Sequence, residues 1–307
     1  MPPKTSISTL AQLSSQLAAA VETAEKSLVA IHARRRIPSS GIVWRDGVVV
    51  SASHTVRRDD DIAVTLSTGE TATATIAGRD PATDLVVLRV KDPTSPVASK
   101  ADTASARVGS LVLAVGRPGR AATASVGIIS AVGEGWRSWQ GARIDRVLRL
   151  DLAIYDGFSG GPLIDPSGGV IGVNTSALAR GMPTALPAAT VDRVVDELLE
   201  RGHVRRAFIG VAVHPVELSA AVVKQHQLAR ETGLVVMSVA EGSPADAAGL
   251  MVGDVLIEAK GQPLQRPTDL LDALSTVRDG ESLELTRVRG DAMQTVTVTP
   301  VDRGASR

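Results

Sequence analysis

The sequence predicts a mainly β protein followed by a smaller α+β unit. Short β-rich runs recur between about residues 28 and 176, separated by the turn pairs Asp46-Gly47, Thr68-Gly69, Pro118-Gly119 and Gly168-Gly169. No long helix stands between them, which argues for all-β barrels or sandwiches rather than a parallel α/β sheet. A capped helix near residue 190 and the basic stretch GHVRRAF then lead into a second strand-and-helix unit, and 307 residues suffice for two domains.

The elements follow in order. Residues 9–26 read as a helix, with Thr9 as cap and Leu10, Leu13, Leu17, Val21 and Ala24 at three- and four-residue steps. Its alanine-rich stripe is thin, so it is expected to dock on a larger body. The runs SLVAIHARR, GIVWRDGVVVSA, IAVTLSTGETATATIAGRD, DLVVLRV, SLVLAVG, SVGIISAVG, RVLRLDLA and GGVIGVNTSAL read as strands. TVDRVVDELLER (190–201) reads as a helix capped by Thr190 and ended by Gly202. The second unit holds a SPADAAGL turn-plus-helix, a helix at 267–277 and closing strands at 281–288 and 293–300.

Composition narrows the function. Lys+Arg and Asp+Glu both number 33, so no net charge points to nucleic acid or an anionic membrane. Aromatics are only 2%, too few for a base-stacking platform. There is no cysteine, and the five histidines (His32, His54, His203, His214, His226) lack metal-site spacing, so no metal or other cofactor is expected. The longest apolar run near the start, Leu17–Val21, is shorter than the ~7–15 residues of a secretory core. No run approaches the ~18 residues needed to span a bilayer. As written, the chain reads as cytoplasmic.

The segment DGFSGGPLID (156–165) packs three glycines around Ser159. Gly157-Phe158-Ser159-Gly160-Gly161 fits both the nucleophile elbow of α/β-hydrolases and the nucleophile loop of trypsin-like proteases. An elbow serine opens a helix, yet Pro162, Pro166, Gly168 and Gly169 follow, and then the β run GVIGVN. Chain order separates the two again. A hydrolase triad would need its histidine downstream, whereas the trypsin-like order His, Asp, Ser is met by His54 after GVVVSAS and Asp84 before LVVLRV. In that reading His54 accepts the Ser159 proton, Asp84 holds the imidazole, and the N–H groups of Gly157 and Ser159 form the oxyanion hole. Each residue alone has a plainer role: a surface histidine, a strand-start carboxylate, a hydroxyl in a turn. Their order on a β-rich chain makes the triad.

These segments resemble the HtrA-like serine protease family, a trypsin-like double β-barrel followed by a PDZ domain (α+β). The similarity runs over about residues 27–300 through SGIVWRDGVVVSASHTV, AGRDPATDLVVLRV, VGSLVLAVGRPG, SVGIISAVG and LDLAIYDGFSGGPLIDPSGGVIGVNTSAL. With the N-terminal helix segment taken as 1–26 from its own periodicity, the resemblance implies a protease domain over 27–202 and a PDZ domain over 203–303. It also implies an endopeptidase for unfolded or misfolded proteins, and a homo-oligomer. No aromatic precedes Trp44 to supply the family's usual trimer contact, so trimerisation stays open. Relatives are often exported. Ala153 stands where trypsin carries its specificity acid, and Asn174 lies on the other wall, Gly172–Pro187, which has no acid. Small or aliphatic P1 residues are then expected.

The family usually has Asn before the nucleophile, where this chain has Phe158, and Asn-Pro where Tyr155-Asp156 stand. These departures keep a second reading open: a catalytically silent, peptide-binding or chaperone-like scaffold of the same fold. In the second unit, Phe208, Ile209, Gly210 and Val211, followed by GLVVMSVAEGSPADAAGLMVGDVLIEAKGQPL, resemble an HtrA-type PDZ domain that binds C-terminal tails by strand addition. Leu271 and Leu274 are expected either to line its groove or to belong to the core, and Arg205 and Arg206 to form a solvated hinge or to add charge at the loop.

Overall fold

The computed structural model describes residues 9–91, 94–103, 106–137, 143–178, 182–228 and 230–303. It divides between Val204 and Arg205 into two compact units.

The first unit opens with α1 (Thr9–Glu25) and holds two closed six-stranded barrels. The first barrel comprises β1 (Leu28–His32), β2 (Ser39–Arg45), β3 (Val48–Ala52), β4 (Ile62–Thr65), β5 (Thr71–Asp80) and β6 (Leu85–Val90), in the order β1-β2-β3-β6-β5-β4. The second comprises β7 (Leu111–Gly116), β8 (Thr123–Arg137), β9 (Arg143–Asp151), β10 (Pro162–Ile164), β11 (Val170–Thr175) and β12 (Thr184–Pro187), in the order β10-β11-β12-β9-β8-β7. Every strand pair in both is antiparallel.

The apolar runs follow from burial on both faces. Along β2, Val43 points into the first barrel's core with Val29, Ile31, Val49 and Leu88, while Ile42 and Trp44 point the other way. That outer face belongs to a separate cluster shared with Leu113, Val115 and Val173 of the second barrel and with Ala20, Ala24, Val191, Val194 and Leu198 of the flanking helices. The helix at 188–201 (α2, Ala188–Arg201) therefore seals the seam between barrels, pinned by a Trp44 Nε1–H bond to Asp192 Oδ1 of 2.8 Å. It begins two residues earlier than the sequence suggests. Thr190 lies buried inside it, and Pro187, the last residue of β12, stands at its N-cap with an extended ψ of 146° and no side-chain cap hydrogen bond. Gly202 ends it in the left-handed region, as expected.

In the second unit, β13 (Ala207–Phe208) pairs with β20 (Val301–Asp302). A six-stranded sheet runs β14 (Val211–Glu217), β15 (Thr232–Val239), β16 (Val255–Ala259), β18 (Leu283–Arg289) and β19 (Ala292–Val298), with β17 (Gln262–Pro263) added on β16. α3 (Ala220–Gln225) is a helix that the sequence reading missed, capped by Ser219 and without a buried face to give it a periodic pattern. α4 (Pro244–Ala247) is capped by Ser243, and α5 (Pro267–Ser275) lies against β13 and β14. β14 is an edge strand.

Candidate active site

His54 sits in a single 3-10 turn, Ser53–Thr55, directly after β3, and Asp84 closes the loop between β5 and β6. That loop is set by Asp80, whose side chain accepts from Ala82 N (3.2 Å) and Thr83 Oγ1 (2.7 Å). Asp84 then adopts a left-handed backbone, φ +56°, which aspartate tolerates better than most residues. The residue is 3% exposed, and its carboxylate accepts three hydrogen bonds: from His54 N (2.9 Å), from His54 Nδ1 (2.8 Å) and from Thr175 Oγ1 (2.5 Å). A carboxylate only accepts, so Nδ1–H donates to it, and Nε2 on the other side of the ring has no protein partner among the described residues.

Ser159 comes from the second barrel, on the turn entering β10. Two i→i+3 bonds shape this turn: Phe158 N–H to Tyr155 C=O (3.0 Å) and Gly161 N–H to Phe158 C=O (2.9 Å). Gly157 (φ +93°) and Gly160 (φ +89°) occupy the third positions, the pattern of successive type II turns that require glycine there. Gly160 is also the point of closest approach to the first barrel. A Cβ on it would stand 2.3 Å from Ser40 O and from Ser51 Oγ, and 2.8 Å from Ala52 N. The Ser159 turn thus lies on the end of the strand that delivers His54.

Turn geometry spends the Phe158, Gly160 and Gly161 N–H groups within the protein and leaves those of Gly157 and Ser159 without an acceptor among the described residues. Both residues are buried, where an unspent N–H is uncommon and costly. The Ser159 hydroxyl lies 3.4 Å from Ser176 Oγ, and no hydrogen bond joins it to His54. Phe158 is fully buried in the second barrel's core with Leu148, Leu163 and Ile171, a burial that stabilises by about 1.5–3 kcal/mol. Its ring meets the Tyr155 ring edge-on at 5.3 Å and 81°. Beside the turn, burial lowers the pKa of Arg34, while the nearby Asp156 carboxylate opposes the shift.

Ala153 is exposed, and its N–H donates to Ser125 Oγ at 3.1 Å. Asn174 is fully buried. Its amide donates to Pro162 O (2.7 Å), and its backbone pairs with Gly160 and Gly161 at 2.9 Å each. The acid-free stretch between Gly172 and Pro187 includes residues 179–181, outside the described residues. Sequence reasoning missed Thr175 and Ser40, because a hydroxyl that reaches a partner 91 or 117 positions away leaves no local pattern.

In the second unit, Ile209 is buried, and the carbonyls of Ile209 and Gly210 accept from Ala245 and Ala240 N–H, each at 2.8 Å. Their own N–H groups have no acceptor among the described residues. Gly210 has φ +88°, and a Cβ there would fall 2.3 Å from that of Ser243. Half-buried Phe208 lies under the Arg303 guanidinium, 4.9 Å from its ring centre, and Val211 opens the edge strand β14. Leu274 is a core residue and Leu271 is half-buried. Arg205 is held by Asp279 and by Val277 O, so its charge is committed away from the loop. Among the described residues no group of three or more His, Asp or Glu is placed to hold a metal, and no helix is long and apolar enough to cross a membrane.

Two antiparallel barrels, with a histidine–aspartate pair on one and a glycine-bounded serine on the other, are the arrangement of the trypsin-like serine peptidase fold. Accordingly, residues 39–173 match the trypsin-like peptidase domain and residues 207–299 the PDZ domain. The chain is 36% identical over 288 residues to a probable periplasmic serine endoprotease, DegP-like, of Brucella suis, covering 90% of this chain and 55% of that protein. A protein of the same description from Chlamydia trachomatis is 35% identical over 275 residues, covering 86% of this chain and 54% of its own length. The chain thus spans about half the length of the curated relatives it matches. The crystal structure of a serine endoprotease from Yersinia pestis superposes with a TM-score of 0.78 at 27% identity, covering 93% of this chain and 97% of that one. The HtrA-type protease AlgW with a decapeptide gives 0.76 at 25% identity, covering 94% and 98%. The chain belongs to the HtrA-like serine protease family, with a PDZ domain after the protease domain.

The relatives also correct one expectation. The cytoplasmic placement is overturned, because these relatives are named periplasmic, which points to export. A transport signal is an address read in transit and leaves no imprint on the packing of the barrels.

Proposed function

We propose that the chain is a serine endopeptidase acting on unfolded or misfolded polypeptides. The observation that carries this reading is the pairing of His54 Nδ1 with a buried Asp84 at 2.8 Å, which leaves Nε2 free to accept a proton. On substrate binding the Ser159 hydroxyl turns from Ser176 toward Nε2. Its oxygen attacks the scissile carbonyl as His54 takes the proton, and Asp84 stabilises the resulting imidazolium. The carbonyl oxygen becomes an oxyanion held by the Gly157 and Ser159 N–H groups, each worth about 3–4 kcal/mol to the transition state. Collapse breaks the C–N bond, and His54 returns its proton to the leaving amine. Water then attacks the Ser159 ester with His54 again as base, releasing the acid and restoring the hydroxyl. Ala153 offers no charge to a P1 side chain, in keeping with small or aliphatic residues there.

The PDZ domain binds C-terminal tails as an added strand on β14, with the N–H groups of Ile209 and Gly210 receiving the terminal carboxylate. The Ser159–Ser176 contact favours the second reading, a silent peptide-binding scaffold. Cleavage of casein and labelling by a fluorophosphonate, beside Ser159→Ala, separate the two. Both activities vanish together in the variant if Ser159 is the nucleophile. A wild type that binds tails but neither cleaves nor labels supports the scaffold.

A further inference from the structure

Phe158 and Ser40 do a task that the triad alone does not. The 157–158 peptide is held at both ends: its C=O accepts the Ser40 hydroxyl at 2.5 Å, and its N–H donates to Tyr155 C=O at 3.0 Å. Ser40 is itself fully buried and oriented, since its oxygen accepts Arg117 N–H at 2.7 Å. Next along the chain, the Phe158 ring is fixed in the second barrel's core. Gly116 on β7 makes the room, because a Cβ there would fall 2.6 Å from Phe158 Cδ1 and 2.9 Å from Phe158 Cα. With the peptide clamped and the ring anchored, the flanking Gly157 and Ser159 N–H groups are left facing away from every protein acceptor among the described residues. A flip of the turn would have to break the Ser40 bond and withdraw a buried aromatic ring.

We propose that Ser40 and Phe158 are positioning residues that hold the two oxyanion donors in place at rest, so that this chain needs no bound peptide to become competent. The proposal rests on the endopeptidase reading and adds to it a permanently assembled oxyanion hole. A polar side chain at 158 has no place in that core, and only an apolar one supplies the anchor.

The test uses the full chain with no added tail peptide. Fluorophosphonate titration counts competent sites, and hydrolysis of a fluorogenic peptide gives turnover per titrated site, with KM measured separately. Ser40→Ala and Phe158→Asn are expected to lower kcat per site about 10–100-fold with KM within about threefold, as for loss of oxyanion donors. Phe158→Leu, which keeps an apolar anchor, recovers most of the rate. The loss should be the same at every pH where the wild type works, since no titrating group has been touched. A purely structural role would instead reduce the number of titrated sites and leave the rate at each one unchanged. If Phe158→Asn fails to fold, Ser40→Ala decides. Unchanged per-site turnover in Ser40→Ala overturns the clamp, and a wild type that labels only after a C-terminal peptide is added overturns its resting assembly. A wild type that labels under neither condition sinks the endopeptidase reading itself.

Discussion

Thr175 offers the sharpest test of how the Asp84 carboxylate is held. Its hydroxyl donates one of the three hydrogen bonds that this buried carboxylate receives, and it also accepts Ala177 N–H at 3.1 Å. Thr175→Val keeps the shape and removes both. A hydrogen bond to a charged group is worth about 1.5–3 kcal/mol, and an amide left without its acceptor adds about 1 more. The expected loss is therefore about 2.5–4 kcal/mol, or about 5–15 °C in Tm for a unit of this size. Thr175→Ser keeps the hydroxyl and should cost about 1 kcal/mol for the lost methyl. Tryptophan fluorescence is the right probe, since Trp44, Trp136 and Trp139 all precede Val204 and report on the protease unit alone. Turnover should fall less than about tenfold, because His54 keeps both of its contacts to Asp84. If Thr175→Val melts with the wild type while Thr175→Ser melts lower, the hydroxyl is not what holds the carboxylate.

Three further outcomes are expected. Asp84→Asn should fold normally yet lose about 10⁴-fold in kcat, because the wrong imidazole tautomer is favoured; steady-state kinetics on a peptide substrate measure it. Gly210→Ala forces a side chain into a left-handed site 2.3 Å from Ser243 Cβ, so calorimetric affinity for a C-terminal peptide should drop at least about tenfold while Ser159 labelling persists. Asp269 caps α5: burial raises its pKa, but the N–H groups of Gln265 and Arg266, with the Arg266 guanidinium, outweigh that and hold it below its ordinary value of 3.8. A depressed folded-state pKa gives stability that is present above the unfolded value and lost as pH falls through the folded one. Protection factors of the α5 amides against hydrogen exchange should therefore fall below about pH 4 in the wild type, and Asp269→Asn should flatten that dependence.

Much of the fold was legible because it rests on short-range rules. Turn glycines, runs of valine and isoleucine, and the Gly202 stop each act over a few residues, and α1, α2 and α5 appear close to where periodicity puts them. Thr190 misled because the helix already begins at Ala188, directly after Pro187, which leaves Thr190 buried inside it rather than at its cap. α3 was invisible because it buries no residue and so has no apolar stripe. Within the site, His54 and Asp84 could be paired from chain order together with the apolar strands beside them and the family resemblance. The partners that orient them could not, since Thr175 reaches Asp84 and Ser40 reaches Gly157 only after two barrels have docked. Phe158 read as a departure from a motif until Gly116 supplied the space that explains it.

The placement of Gly160 on the end of β3, and of Ser40 on Gly157, carries a consequence for how such an enzyme is made. His54 and Asp84 leave the ribosome on the first barrel, well before the Ser159 turn exists. Neither barrel alone carries all three of His54, Asp84 and Ser159, and the apolar seam between them is completed by α1, which precedes both barrels in the chain, and by α2, which follows both. On the endopeptidase reading, a chain made only as far as the first barrel carries no nucleophile and cannot digest its neighbours or itself.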